Sequence, residues 1–142
     1  MNKEQIKEFC NSYVGSEDKV PTAMTVTEVI TTLSQMTQDK YVLIDIGNEG
    51  MFSDFETDSW RGSYEYPAIF KDDEPNTVGW CVNNLKLTHG KQVTGYKGGE
   101  YVLDENYRLY VETTYSSYSA KGIIEIIELE DYVLVKTMTD MY

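Results

Sequence analysis

The chain has 142 residues, enough for one domain with a core of its own, and 41% hydrophobic and 13% aromatic residues argue against disorder. Its 24 acidic and 12 basic residues give a formal charge of −12, which repels nucleic-acid phosphates at long range and argues against direct DNA or RNA binding. Two cysteines are too few for a disulfide scaffold, and no apolar run suits a signal peptide or a bilayer span, so the expectation is a reduced, cytoplasmic protein.

Asn2 can cap a first helix to about Tyr13, with Ile6, Phe9, Cys10 and Tyr13 at helical spacing. Gly15, a charged patch and Pro21 then read as a loop, so residues 1–20 form an N-terminal appendage to a single domain over 21–142. Thr25 to Glu28 reads T-x-x-E, a capping box, and Val26, Val29, Ile30, Leu33 and Met36 follow as one apolar stripe. Tyr41 to Ile46 is β-rich and predicts a buried strand carrying one charge, Asp45.

Between Asp54 and Ser59 the carboxylates Asp54, Glu56 and Asp58 alternate with Phe55, Thr57 and Ser59, so a strand here places all three on one face. Such a face can bind Mg²⁺ or Ca²⁺ through oxygen, but no calcium-loop spacing is present, and solvated edge charge is the simpler reading. Tyr64 to Phe70 is extended, with Pro67 marking an edge strand or a bulge. A third helix starts near Asn76 or Thr77, has Val78, Cys81, Val82 and Leu85 on its apolar side, and ends around His89, placed to meet its last carbonyls. The remainder alternates as sheet: 92–96, 101–103, 107–114, 122–128 and 132–137, with hairpin signals at Asp104-Glu105-Asn106 and Glu130-Asp131. The fold class expected is α+β: a single domain with a mainly antiparallel sheet and two or three helices packed on it.

Thr25-Val26, Ile30 and Leu33 are echoed at equal spacing by Thr77-Val78, Val82 and Leu85. The echo reads either as a degenerate internal duplication, 25–70 and 77–137, or as two independently capped helices. Each helix is followed by an aromatic–cation–glycine stretch, Trp60-Arg61-Gly62-Ser63-Tyr64 and Tyr96-Lys97-Gly98-Gly99 with Tyr101 beyond. Arg61 offers a planar fork for phosphate or carboxylate, Lys97 adds a second cation, and exposed amides around Gly62, Gly98 and Gly99 can form an anion nest. Trp60, Tyr64, Tyr96 and Tyr101 offer rings on which a base can stack. These ten residues form the candidate ligand-binding set. The alternative is that the glycines are bends and Trp60 is a core residue. No nucleophile–base spacing, P-loop or metal-ligand constellation stands out, so no catalytic residue, metal or cofactor is expected.

The stretch DSWRGSYEYPAI at 58–69 resembles a motif, DS-aromatic-RG-x-Y, of small uncharacterised proteins of tailed bacteriophages. GYKGGEY at 95–101 is similar to their second motif, and TVTEVITTL at 25–33 to their opening helix, so the likeness covers roughly residues 24–137. It implies origin, a phage accessory protein acting in the host cytoplasm, and carries over no catalytic residue. Two functions stand as the leading expectations, and a third is an enzyme that degrades a nucleotide with added metal. One is a counter-defence protein that sequesters a small anionic ligand such as a nucleotide signal. The alternative is an acidic inhibitor that mimics nucleic acid on a host enzyme, through Asp54, Glu56, Asp58, Asp72, Asp73 and Glu74. A two-fold dimer is the default assembly.

Overall fold

The computed structural model describes residues 23–47, 49–60, 63–95, 97–113 and 121–139. The helix read over 2–13, with Cys10, lies outside them. Two helices are described: α1 (Val26–Ser34) and α2 (Val78–Lys86). A seven-stranded sheet contains β1 (Tyr41–Asp45), β2 (Gly50–Met51), β3 (Asp58–Trp60), β4 (Ser63–Ile69), β7 (Tyr110–Val111), β8 (Lys121–Glu128) and β9 (Tyr132–Thr139). A small second sheet pairs β5 (Gln92–Thr94) with β6 (Glu100–Val102). The described residues form a single α+β domain.

Both helices begin as their sequences dictate. Thr25 Oγ1 accepts the Glu28 amide while Glu28 reaches back to the Thr25 amide, closing the capping box. Thr77 Oγ1 accepts the Trp80 amide in the same way at α2. Val26, Val29 and Leu33 of α1 and Val78, Cys81, Val82 and Leu85 of α2 are buried in one core with Ile44, Ile69, Ile123 and Val135 of the sheet. Truncating one of these leucines to alanine costs about 2–5 kcal/mol.

The large sheet runs β2-β1-β9-β8-β7-β4-β3 and is mostly antiparallel, with parallel pairs at β1–β9 and β4–β7. Strand β1 is buried on both faces. Val42 and Ile44 join the helix-covered core, and Leu43 meets Leu134 on the other side. Its last residue, Asp45, stands in register with Lys136 of β9, whose ammonium donates to Asp45 Oδ2. The Gly47 amide donates to Asp45 Oδ1, so both oxygens of this buried carboxylate are met.

Pro67 sits where a strand tolerates it. The parallel ladder from β4 to β7 begins only at Ala68, and β3 carries a register shift at Ser59/Trp60 beside it.

Two expectations are corrected. Asp54 to Thr57 is not strand. The Ser53 hydroxyl and Asp54 carboxylate accept the amides of Phe55 and Glu56, offering the backbone local turns in place of a ladder, and Phe55 takes φ +60°. Asp104-Glu105-Asn106 does turn, but it does not join a hairpin. β6 pairs back onto β5, and the carbonyls of Glu105 and Tyr107 instead accept the amides of Thr27 and Val26 at the start of α1. The Glu130-Asp131 hairpin between β8 and β9 forms as read, closed by Leu129 N–H to the Tyr132 carbonyl.

The two echoed helices pack on each other, but the strands after them differ in place. β1 lies inside the large sheet, and β5 belongs to the small one.

Candidate functional site

The two aromatic–glycine stretches meet. β5 and β6 form a hairpin whose turn is closed by Gly98 N–H to the Gly95 carbonyl and Gly95 N–H to the Gly99 carbonyl. Gly98 takes φ +91°, a conformation that favours glycine. The rings of Tyr64 from β4 and Tyr101 from β6 lie 5.5 Å apart with a 55° tilt. Gly95 is wedged between them: a Cβ there would stand 2.8 Å from Tyr101 Cε2 and 2.9 Å from Tyr64 Cγ. Glycine is required at this position by ring proximity. Gly99 faces Tyr101 closely as well, and Lys97 is exposed at the turn.

Trp60 is placed elsewhere, which corrects its reading as a stacking face. It is 4% exposed and stacks on Tyr110 at 4.3 Å and 21°, with Ala68, Tyr66 and Phe70 around it. A ring already stacked and buried leaves no open face for a base. Ser63 pairs with Trp60 through the β3–β4 register. Arg61, Gly62 and Tyr96 lie outside the described residues. Arg108, the second arginine, is used structurally, its guanidinium donating to the Ala23 carbonyl.

Beside this cluster lies an open groove of about 640 Å³. One wall is Asp54, Glu56, Thr57 and Asp58. Lys91 and β5 (Gln92–Thr94) line it as well, together with Phe70, Lys71 and Asp72. The three alternating carboxylates therefore share a side even without a strand, because Ser53, Phe55 and Thr57 are buried in alternation with them. Asp72 arrives from a separate segment, bridged antiparallel to Phe52. Asp73 and Glu74 are exposed on the adjoining turn.

The acidic wall is anchored from below. Asn84 of α2 donates to the Asp54 carbonyl at 2.8 Å, the Thr57 and Thr88 hydroxyls meet at 2.7 Å in a buried contact, and Lys91 donates to the Thr57 carbonyl. Phe55 is fully buried with a positive φ, which for a bulky residue costs on the order of 1–2 kcal/mol. Burying its ring offsets that cost, at roughly 1.5–3 kcal/mol. The Lys91 ammonium is 3.8 Å from Glu56 Oε1, so one of the two groove lysines is already committed to the wall.

Other titratable groups serve structure. Cys81 packs in the core with its thiol toward the Ser53 carbonyl, and burial, assisted by the charge of Asp54, pushes it up to about 12. A thiol so displaced is inert. His89 does not meet the α2 carbonyls; its Nδ1 lies 3.4 Å from Glu105. Among the described residues no group of three or more His, Cys, Asp or Glu is arranged to hold a metal ion. No helix among them is long and apolar enough to cross a membrane.

Sequence reading named the acidic residues but missed the lining at Lys91–Thr94, which only tertiary packing brings to the same groove. It also missed Trp80 and Leu87, exposed at 58% and 65%. Trp80 fell off the apolar stripe of α2, and that was the available signal. Comparison with protein-family models, with curated proteins and with solved structures finds no match.

Proposed function

We propose that this chain is a binding protein whose acidic groove engages a basic surface of a partner protein. The observation that carries this reading is the gathering of Asp54, Glu56, Asp58 and Asp72, from two separate segments, around one groove in a chain of charge −12. Lys71 and Lys91 offset only part of that charge, and Lys91 is held by the wall itself. An acidic groove of this kind attracts a basic segment at long range and competes with nucleic acid for it. With the likeness to tailed-phage proteins, the partner is a host enzyme whose basic surface ordinarily holds nucleic acid, and the chain is its inhibitor. The test is fluorescence anisotropy with a labelled Lys/Ser peptide. Affinity should fall at least tenfold as salt rises from low to physiological ionic strength, since exposed charges are screened beyond about 8 Å there. Asp54→Lys with Asp72→Lys should abolish binding, and Arg61→Ala should leave it unchanged. Binding that survives the double reversal refutes the groove as the site.

A second reading is favoured by the meeting of Tyr64 and Tyr101 beside exposed Lys97: sequestration of a small anionic ligand such as a nucleotide. A thermal-shift panel of mono-, di- and cyclic nucleotides tests it. A ligand at a hundred times its Kd stabilises the fold by about 2.7 kcal/mol. A hit lost on Lys97→Ala supports this reading, and a flat panel removes it.

A further inference from the structure

We infer that the exposed face of α2 is the apolar half of the same docking surface, so that the partner segment is both basic and amphipathic. This rests on the groove reading above and extends it to the partner's chemistry. Trp80, Asn84 and the C-cap residue Leu87, itself in helical conformation, are spaced four and three residues apart and so form one stripe along α2 and its C-terminal end. Asn84, in the middle of that stripe, donates to the carbonyl of Asp54, whose side chain lines the groove. The stripe therefore runs along the rim of the acidic wall. Another flank of α2 is taken: Gly79 donates to the Gln38 carbonyl just past α1, and a Cβ on it would touch that residue. Trp80 and Leu87 are exposed between that flank and the one held at Asn84.

An exposed tryptophan paired with an exposed leucine is unusual on a charged surface, and tryptophan is the residue type most enriched at binding hot spots. Charge decides what covers it. A second copy would bring another chain of −12 against the carboxylates beside the stripe, and like charges so juxtaposed disfavour that contact. A segment with lysines or arginines on one face and leucine-like side chains on the other satisfies both halves at once. The carboxylates then speed encounter, and the Trp80–Leu87 stripe slows release.

Two synthetic peptides of equal charge test this, one with Leu and Lys at helical spacing and one with Ser in place of each Leu. Trp80 serves as its own reporter, since the other tryptophan, Trp60, is buried. The Leu/Lys peptide should bind at least tenfold tighter than the Lys/Ser peptide and shift the Trp80 emission to the blue. Trp80→Ala should lower Leu/Lys affinity on the order of thirtyfold. It should leave Lys/Ser affinity unchanged. Leu87→Ser should lower Leu/Lys affinity in the same sense, and both variants should melt within a few degrees of the parent. Equal affinity of the two peptides, with no response at Trp80, overturns the inference and leaves the groove reading standing. Failure of both peptides to bind overturns both. A dimer in sedimentation that Trp80→Ala dissociates overturns it in favour of a second copy.

Discussion

Gly95→Ala probes whether the two aromatic–glycine stretches are packed on each other as described. The added methyl would stand 2.8 Å from Tyr101 Cε2, 2.9 Å from Tyr64 Cγ and 3.1 Å from Tyr64 Cδ2. Carbon contacts are comfortable from roughly 3.5 Å, so the rings must retreat by more than half an ångström. Tyr101 can give at its far edge. Tyr64 is approached at Cγ, next to its own Cβ, and yields only if its backbone in β4 moves. Overpacking of this kind costs about 1–3 kcal/mol. Against it stands the stabilisation from a stiffer unfolded chain, about 0.4–1 kcal/mol. Gly95 is not among the positive-φ glycines, so its backbone adds no strain. The net expectation is a loss of about 1–2 kcal/mol, or a fall in Tm of roughly 4 °C per kcal/mol for a chain of this size. Urea denaturation of Gly95→Ala alone and together with Tyr101→Ala measures it. The cost of Gly95→Ala should shrink once the Tyr101 ring is gone. Gly98→Ala is the control: nothing lies within 4 Å of its Cβ position and its φ is +91°, so its cost should be the same with or without Tyr101. A Gly95→Ala variant as stable as the parent, or equally costly in both backgrounds, refutes the wedge.

Lys136→Met should cost about 3–5 kcal/mol by stranding the buried Asp45 carboxylate. The double variant with Asp45→Asn should recover part of that loss in urea denaturation, and no recovery would mean that the two groups are not coupled. Cys81 should resist a thiol-specific disulfide reagent at pH 8 until the chain unfolds. Its thiol is raised from the usual 9.0 to about 12, so its contribution to stability is complete below pH 9 and falls as pH climbs toward 12. Cys81→Ala should remove that alkaline slope from a Tm–pH profile, and an unchanged slope counts against burial as its cause. Glu128 is held below the usual carboxylate range, chiefly by the Thr37 amide at 2.7 Å and then by Lys40. Its stabilisation is present above the ordinary value of 4.5 and is lost as pH falls through the lowered one. Glu128→Gln should flatten this acid limb, in the same profile.

What was legible in the sequence was local. The threonine caps of both helices, the apolar stripes, the buried strand carrying Asp45 and the Glu130-Asp131 hairpin all depend on residues within a turn or two of one another. What was not legible depends on distant partners. Asp104-Glu105-Asn106 carries a sound turn signal, yet which strand β6 pairs with is decided by β5, and the turn's carbonyls are drawn off by the free amides of α1. Arg61 and Tyr96 lie outside the described residues. Trp60 was read by its neighbours in sequence, but its place is fixed by Tyr110, fifty residues on, whose ring covers it.

The acidic segment shows how a wrong element can leave a right inference. Alternation predicted a strand with Asp54, Glu56 and Asp58 on one face. Ser53 and Asp54 capture their own following amides instead, and Phe55 turns to positive φ. The side-to-side pattern survives because it is set by burial: Ser53, Phe55 and Thr57 are held inward by Cys81, the core and Thr88, which leaves the carboxylates outward. A strand in that position would offer its ladder to a neighbouring strand. The irregular segment satisfies its carbonyls from below, through Asn84 and Lys91, so what it presents outward is side-chain charge. That favours recognition of a partner by its basic residues over addition of a partner strand. It also explains why the α2 residue anchoring the wall, Asn84, is the one lying between Trp80 and Leu87. The same contact that fixes the carboxylates brings the apolar stripe to their edge, so Asn84→Ala should weaken Leu/Lys peptide binding without removing a single charge. If Asn84→Ala binds that peptide as the parent does, the two halves of the surface are not joined through this contact.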